Sequence, residues 1–200
     1  MLIAGLTGGL ACGKSFVAHA FADLGCHVVE ADQLGHAVLL PDGEAYGPVV
    51  ALFGEEILNE DRTINRQRLG RMVFGEPAKL AELNAIVHPA VQRRARKMFD
   101  EIAQRDPDGI VIYVAAILVE TGGWRDYDKL IVTDCSRETQ IQRAVERFGA
   151  TPEDVEARLS RQLPAEKKRE VADFVIDTNG TKEDTLHQTK MVFEELRNSR

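Results

Sequence analysis

Residues 8–15 read Gly8-Gly9-Leu10-Ala11-Cys12-Gly13-Lys14-Ser15 and satisfy the pattern G-x-x-x-x-G-K-[ST]. Glycines in such a loop let successive backbone N–H groups point at the β-phosphate of a nucleotide, and the following helix N-terminus adds partial positive charge. Lys14 would reach the β- and γ-phosphates, while the Ser15 hydroxyl would ligate Mg²⁺. The alternative is a glycine turn with a helix-capping serine. The pattern predicts a nucleoside triphosphate site.

The flanking sequence supplies the context that this loop requires. An apolar run at 2–6 predicts a buried strand that enters the glycine turn. Apolar residues then recur with a helical period over 15–24, Gly25 ends that helix, and residues 26–31 resemble a second strand. Strand, loop, helix and strand form a βαβ unit.

Further strands are predicted at 109–116, 129–134 and 173–177, with helices between them and a closing helix at 183–197. Ser136 is a plausible N-cap, and Thr151-Pro152 predicts the start of the next helix. Five strands separated by helices indicate an α/β protein, a P-loop NTPase with a five-stranded parallel sheet covered by helices on both faces.

No linker or repeat divides the 200 residues, so we expect one domain over 1–200. Its core would comprise about 1–32, 106–135 and 171–200. The segments at about 33–105 and 136–170 would be helical excursions from that core.

Composition narrows the function classes. The net charge of −7 argues against a general nucleic-acid or membrane-surface binder, because both partners are anionic. The N-terminus lacks the basic and apolar pattern of an export signal, and apolar runs of about ten residues are too short to span a bilayer. The three cysteines show no CxxC spacing and are interpreted as free thiols. We therefore expect a cytoplasmic protein.

Two acidic residues follow predicted strands. Asp32 ends the second strand, where the ligand crevice of an open α/β sheet lies, so its carboxylate could accept a proton from an attacking hydroxyl or hold Mg²⁺. The alternative is an N-cap for the next helix. Glu120 follows the third strand, and the alternative there is an ordinary loop residue.

Basic residues on the later helices form a second group of candidates. Arg143 and Arg147 stand four residues apart on one helix, and Arg158 and Gln162 do so on the next. Arginines on a mobile helical excursion can close over a triphosphate and stabilise the transferred group. A solvated surface with Glu/Arg pairs is the alternative.

The class of P-loop protein follows by elimination. The sequence contains no Asn-Lys-x-Asp string for guanine recognition and no long apolar strand ending in Asp-Glu. A small-molecule kinase is the natural remainder.

The chain resembles the dephospho-CoA kinase family over about residues 2–197. The resemblance is carried by the P-loop opening and by strings that occur in the family's order, which are Glu30-Ala31-Asp32, Phe53-Gly54, Asn65-Arg66, Val87-His88-Pro89, Leu118-Val119-Glu120-Thr121-Gly122, the Arg143, Arg147, Arg158 and Gln162 positions, and Ala172-Asp173-Phe174-Val175-Ile176 with Gly180.

The resemblance implies that ATP phosphorylates the ribose 3′-hydroxyl of dephospho-CoA. It implies an acceptor-binding excursion at 33–105 and a lid at 136–170. Asp32 would be the general base, with Lys14 and Arg143 stabilising charge and Ser15 ligating Mg²⁺. ATP would be bound by Arg147 and by the loop residues Gly8, Gly9, Leu10, Ala11, Cys12, Gly13, Lys14, Ser15 and Phe16. The acceptor would be bound by Asp32, His88, Pro89, Glu120, Arg158 and Gln162. Without the family, His88 is interpreted as a structural histidine beside a helix break.

Three positions depart from the family pattern. Ala116 stands where the family usually has Pro, Thr178 where it usually has Asn, and Phe16 where Thr is common. The Phe16 change leaves the Mg²⁺ ligand intact, while the other two bear on the placement of Glu120 and on the adenine pocket. Competing hypotheses are another small-molecule kinase, acting on a nucleoside monophosphate or a sugar, and a regulatory module that binds ATP without phosphoryl transfer.

Overall fold

The computed structural model describes residues 1–160 and 162–199. Five strands in this part of the chain form one sheet in the order β2-β3-β1-β4-β5. They are β1 (Leu2–Gly8), β2 (His27–Glu30), β3 (Ile110–Val114), β4 (Lys129–Asp134) and β5 (Phe174–Asp177). β1 pairs in parallel with both β3 and β4, and β4 pairs in parallel with β5. The predicted α/β class with a five-stranded parallel sheet is confirmed.

Helices occupy most of the remaining chain. In chain order they are α1 (Lys14–Asp23), α2 (Ala31–Ala37), α3 (Tyr46–Phe53), α4 (Arg66–Val73), α5 (Pro77–Arg105), α6 (Arg137–Phe148), α7 (Pro152–Leu159), α8 (Ala165–Arg169) and α9 (Lys182–Asn198). The chain divides into two compact units, one built from residues 1–29 and from 102 onward, the other from 30–101.

The first unit contains the core beneath the nucleotide loop. Leu2, Ala4 and Leu6 of β1 are buried on one face of the sheet, where they pack with Phe21 of α1 and Leu196 of α9. Burying each leucine or phenylalanine side chain contributes about 1.5–3 kcal/mol, as an upper estimate. This core anchors β1 and α1, and therefore fixes both ends of the loop between them.

The opposite face of β1 is approached closely by the segment that follows β3. A Cβ added at Gly5 would lie 3.0 Å from Leu118 and 3.1 Å from Tyr127. Glycine at this position therefore lets residues 115–128 lie directly on the sheet. This close approach positions Glu120, two residues after Leu118.

Local sequence signals set the helix starts. The Ser136 side chain accepts a hydrogen bond from Thr139 N at the start of α6, and Thr151 caps α7 with Pro152 at the first helical position. Both predicted starts are confirmed. At α9 Thr181 and Asp184 form a reciprocal capping box.

Helix α5 contradicts one expectation. It runs through Pro89 without interruption, so the break expected beside His88 is wrong. Proline removes one N–H donor, and the carbonyl it would have served belongs to Ala85, four residues earlier. Ala85 is exposed, so water can satisfy that oxygen and the helix continues.

The second unit comprises α2, α3, α4 and most of α5. Its buried apolar residues include Val49, Phe53 and Ile57, and an isolated antiparallel bridge joins Leu58 to Ile64. None of the helices in the described parts of the chain has the length and apolar character needed to cross a bilayer.

Candidate active site

The glycine loop connects β1 to α1, as predicted. Gly13 is the N-cap of α1 with φ 72°, and Ala11 also adopts a left-handed conformation with φ 57°. Gly8 is required for a different reason, because a Cβ there would lie 2.4 Å from the Thr133 carbonyl oxygen of the neighbouring strand. The backbone thus turns sharply at the carboxyl edge of the sheet, where parallel α/β proteins bind ligands.

Lys14 folds back over this loop. Its ammonium donates hydrogen bonds to the carbonyl oxygens of Gly8 at 2.8 Å and Gly9 at 2.9 Å. The positive charge is therefore held beside the loop backbone, where phosphate oxygens would be bound. Ser15, the next residue, is exposed at the start of α1.

Arg143 is held against the loop by Thr178, the residue that follows β5. One guanidinium nitrogen donates to the Thr178 hydroxyl at 3.2 Å, and the other donates to its carbonyl oxygen at 2.6 Å. The Thr178 hydroxyl also lies 3.2 Å from the Asp134 carbonyl oxygen and 3.5 Å from that of Cys12. The threonine thus connects the predicted arginine to β4 and to the loop.

These residues border a cavity of about 440 Å³, which we call the Thr178 cavity. Gly13, Ser15 and Phe16 line it from the loop and α1, and Arg143 and Arg147 line it from α6. With Ala11, which also lines the cavity, the structure brings together five residues predicted to bind ATP and the predicted catalytic residue Arg143.

Cys12 lies in the loop with its sulfur atom 3.2 Å from that of Cys135. Both residues are buried. The hydrogen bond between the thiols, together with burial, raises the pKa of Cys12, while the same hydrogen bond lowers the pKa of Cys135. Cys12 therefore keeps its proton and fills a buried position beneath the loop.

Gln162 also reaches the loop. Its side-chain oxygen accepts a hydrogen bond from Leu10 N at 3.0 Å. The resemblance implies acceptor binding for Gln162, whereas here it contacts the predicted ATP-binding loop.

Glu120 pairs with a residue that sequence reasoning missed. Its Oε1 lies 2.6 Å from the ammonium of Lys168 on α8, and the two side chains are 20% and 2% exposed. Lys168 lines a second cavity of about 560 Å³, the Lys168 cavity, whose lining also includes Gly9, Asp134 and Gln162. The Lys168 cavity therefore adjoins the loop from the α8 side.

Of the remaining predicted site residues, Arg158 lines neither cavity, and Asp32, His88 and Pro89 belong to the second unit. Arg158 is exposed on α7, and His88 is exposed on α5 with Pro89 partly buried beside it. Asp32 is exposed in the first turn of α2, whose N-cap is Glu30. The alternative interpretation of Asp32 as the helix cap is therefore wrong, although an acidic residue in the first turn still complements the helix dipole.

Two residues of the site had a weak signal or none in the sequence. The signal at Thr178 is only that threonine stands where the family usually has asparagine. Lys168 lies in the string Ala165-Glu166-Lys167-Lys168-Arg169, which resembles a solvated charge run. No local feature of that string distinguishes Lys168 from Lys167 and Arg169, so the sequence carries no signal for its burial.

A lysine-bearing glycine loop between the first strand and first helix, with sheet order β2-β3-β1-β4-β5, defines a P-loop nucleotide-binding protein. The solved structure of TT1252 from Thermus thermophilus has the same fold at a TM-score of 0.81 and 31% identity, covering 98% of this chain and 97% of its own. The structure of dephospho-CoA kinase from Campylobacter jejuni matches at a TM-score of 0.67 and 22% identity, covering 97% and 96%.

Sequence comparison identifies the family. The model of the dephospho-CoA kinase (CoaE) family matches residues 2–184. A dephospho-CoA kinase of Aquifex aeolicus is 41% identical over 192 residues, which cover 96% of this chain and 96% of that protein. The chain belongs to the dephospho-CoA kinase family, and the resemblance stated from its sequence is confirmed.

Proposed function

We propose that this protein transfers the γ-phosphoryl group of ATP to the ribose 3′-hydroxyl of dephospho-CoA, giving CoA and ADP. The observation that carries the proposal is that the lysine loop and Arg143 meet at one cavity in a chain that matches the family model over residues 2–184. In this reaction the acceptor oxygen bonds to the γ-phosphorus, and the bond from that phosphorus to the β,γ-bridging oxygen breaks.

Lys14 and Arg143 would stabilise the charge that spreads over the transferred group. Phosphate oxygens are stronger acceptors than the Gly8 and Gly9 carbonyls that Lys14 now contacts, because hydrogen bonds between charged partners are roughly twice as strong as neutral ones. Arg147, whose guanidinium lies 5.2 Å from the Phe148 ring centre, would line the nucleotide side of the Thr178 cavity.

The residues fit a magnesium ion held mainly by the nucleotide. Among residues 1–160 and 162–199 no cluster of three acidic, histidine or cysteine side chains is suited to a metal. Mg²⁺ in kinases keeps water ligands and binds substrate phosphates, so a single hydroxyl from Ser15 suits this arrangement. The ion would supply charge neutralisation on the phosphates.

Asp32 would accept the hydroxyl proton as the phosphoryl group transfers. In a dissociative transfer the proton moves late, so positioning of the hydroxyl matters more than basicity. His88, Pro89, Glu120, Arg158 and Gln162 would bind the acceptor. The excursion at 33–105 would contribute His88 and Pro89 to acceptor binding, and the segment at 136–170 would act as the lid over the core at 1–32, 106–135 and 171–200. The proposal includes a cytoplasmic location.

An acceptor panel tests the function. Release of ADP is measured with ATP, Mg²⁺ and each of dephospho-CoA, AMP, CMP, adenosine or no acceptor, with Lys14→Ala as the inactive control. Turnover with dephospho-CoA alone, with CoA as product, is the expected result. Turnover with another acceptor, or equal hydrolysis in every condition, would overturn the proposed substrate while leaving the P-loop assignment intact.

A further inference from the structure

Lys168 is a lysine that folding has taken out of water. The residue is 1% exposed, and its ammonium contacts Glu120 Oε1 at 2.6 Å. That contact brings the charges together without the alignment of a hydrogen bond, and within residues 1–160 and 162–199 the Lys168 nitrogen has no other hydrogen-bond acceptor. The ammonium is thus neutralised by a carboxylate, yet its N–H groups lack aligned acceptors.

A buried ammonium of this kind lowers the stability of the folded protein unless another group accepts hydrogen bonds from its N–H groups. Moving an ammonium out of water costs several kcal/mol, and an apolar residue in place of a buried ion pair is often no less stable. An ammonium carries three donors, and a buried donor without an acceptor adds its own penalty. Folding alone therefore does not account for a lysine here, and the donors point to an anionic ligand.

The charged residues next to Lys168 argue against a simpler interpretation, in which α8 carries only an ordinary basic patch on the protein surface. Lys167 pairs with Glu170 and both are exposed. Arg169, which lines the same cavity, donates to Asp134 at 2.6 Å and to Glu166 at 3.0 Å. Among the described residues around this cavity, Lys168 is the buried cation whose ammonium contacts a carboxylate, Glu120, but has no aligned hydrogen-bond acceptor.

The Lys168 cavity leads to the nucleotide loop. Gly9 lines it, and the Gly9 carbonyl oxygen is the acceptor of the Lys14 ammonium at 2.9 Å. In P-loop proteins that lysine reaches the β- and γ-phosphates. An anionic group that enters this cavity would therefore meet Lys168 in a space whose wall also includes Gly9, the residue whose carbonyl oxygen accepts from Lys14.

We propose that Lys168 is a further catalytic residue, whose ammonium binds the oxygens of the terminal phosphoryl group of ATP while Glu120 holds the ammonium in place. Glu120 then acts as a positioning residue from the loop after β3. Charge that spreads onto the transferred group would meet a cation already held in place by Glu120. This inference rests on the proposed ATP-dependent phosphoryl transfer, but not on the identity of the acceptor.

The test compares Lys168→Met with Lys167→Met, its exposed neighbour. Affinity is measured for ADP and for the β,γ-imido analogue of ATP by calorimetry, without any acceptor, and turnover is measured with dephospho-CoA. In Lys168→Met, the preference for the analogue over ADP should fall at least about tenfold, and kcat should fall about a hundredfold, the usual cost of removing one charge-stabilising donor. ADP affinity should stay within about twofold, and Lys167→Met should match the wild type in every measurement.

A double variant separates the effect of Lys168 on ligand binding from the effect of leaving the Glu120 charge unpaired. Lys168→Met leaves the Glu120 carboxylate, whose side chain is 20% exposed, without its cation, whereas Lys168→Met with Glu120→Gln removes both charges and avoids that cost. The proposal expects the double variant to recover thermal stability but not the preference for the analogue. Recovery of that preference, or no loss of it in Lys168→Met, would overturn the proposal. Because the binding measurements contain no acceptor, a wild type that ignored dephospho-CoA would refute the proposed function and leave this result interpretable.

Discussion

The hydroxyl of Thr178 gives a sharp test of how Arg143 is positioned. Thr178→Val keeps the shape of a side chain that is 3% exposed but removes the oxygen that accepts from Arg143 at 3.2 Å and lies 3.2 Å from the Asp134 carbonyl oxygen. The hydroxyl has one proton, so it donates to one carbonyl at a time, and the variant loses one accepted and one donated hydrogen bond.

The magnitude follows from these two bonds. A neutral hydrogen bond contributes about 1 kcal/mol net, and one to a charged group about 1.5–3 kcal/mol. Arg143 is only partly buried and keeps its bond to the Thr178 carbonyl oxygen at 2.6 Å, so we take the low end of that range. The free energy of unfolding should therefore fall by about 2.5 kcal/mol, or about 5–10 °C in Tm for a chain of this size. Looser placement of the guanidinium should lower kcat/KM for ATP about tenfold, equivalent to about 1.4 kcal/mol.

Thr189→Val is the matched control. Thr189 is fully buried on α9, and its hydroxyl donates to the Thr185 carbonyl oxygen at 2.8 Å, within the same helix. Urea denaturation should show a loss of about 1 kcal/mol or less, with kcat/KM unchanged. If Thr178→Val and Thr189→Val had equal kcat/KM while Arg143→Ala was severely impaired, Arg143 would be positioned without the hydroxyl, and the reasoning would fail.

Three other predictions concern the loop, the base and a helix cap. Gly8→Ala places a Cβ 2.4 Å from the Thr133 carbonyl oxygen, whereas ordinary contact begins at 3.4 Å, so the backbone must shift by about 1 Å. Urea denaturation should show that the free energy of unfolding falls by about 1–3 kcal/mol, the usual effect of overpacking. Gly70→Ala is the control, because Gly70 has open space around it and the variant should keep its stability. Asp32→Asn should leave ATP affinity intact and lower kcat at least about a hundredfold, and a loss below about tenfold would remove Asp32 as the base. The backbone N–H and the hydroxyl of Thr181 donate hydrogen bonds to Asp184 and lower its pKa below 3.8. The Asp184 carboxylate therefore contributes its full stabilisation above pH 3.8, and that stabilisation is lost as the pH falls through the lower pKa of the folded state. Asp184→Asn should therefore be less stable than the wild type at pH 7, and the two proteins should converge near pH 2, whereas a difference independent of pH would contradict the charge-based explanation.

The parts of the fold that sequence predicts well are those encoded locally. The loop at 8–15, the cap at Ser136 and the Thr151-Pro152 start depend on residues within one or two turns, and each has the predicted geometry. The parallel sheet followed from apolar runs separated by helical periods. Pro89 failed as a local signal because an exposed helix can hydrate one carbonyl oxygen, a cost that the single residue does not reveal.

The site depends on contacts between distant segments, and there the sequence was less informative. Thr178 meets Arg143 because β5 pairs with β4 in a register that places Asp177 beside Asp134. Lys168 becomes buried only because α8 lies against the segment carrying Glu120. Neither partner can be chosen from spacing alone, since a charged string such as 165–169 is usually solvated. Sequence therefore predicted the chemistry of the loop and left the supporting contacts undetermined.

The hydrogen bond from Leu10 N to Gln162 has a consequence for nucleotide affinity. The Gln162 side-chain oxygen competes with a bound phosphate for Leu10 N, because one N–H makes one strong hydrogen bond. A phosphate oxygen would have to displace the Gln162 side chain to accept from Leu10 N. A bond worth about 1 kcal/mol corresponds to a roughly fivefold reduction in apparent affinity, paid whenever the competitor is in place. If the nucleotide binds Leu10 N as predicted, its arrival and the departure of the Gln162 side chain would be one exchange, in which the backbone N–H passes from a protein oxygen to a phosphate oxygen.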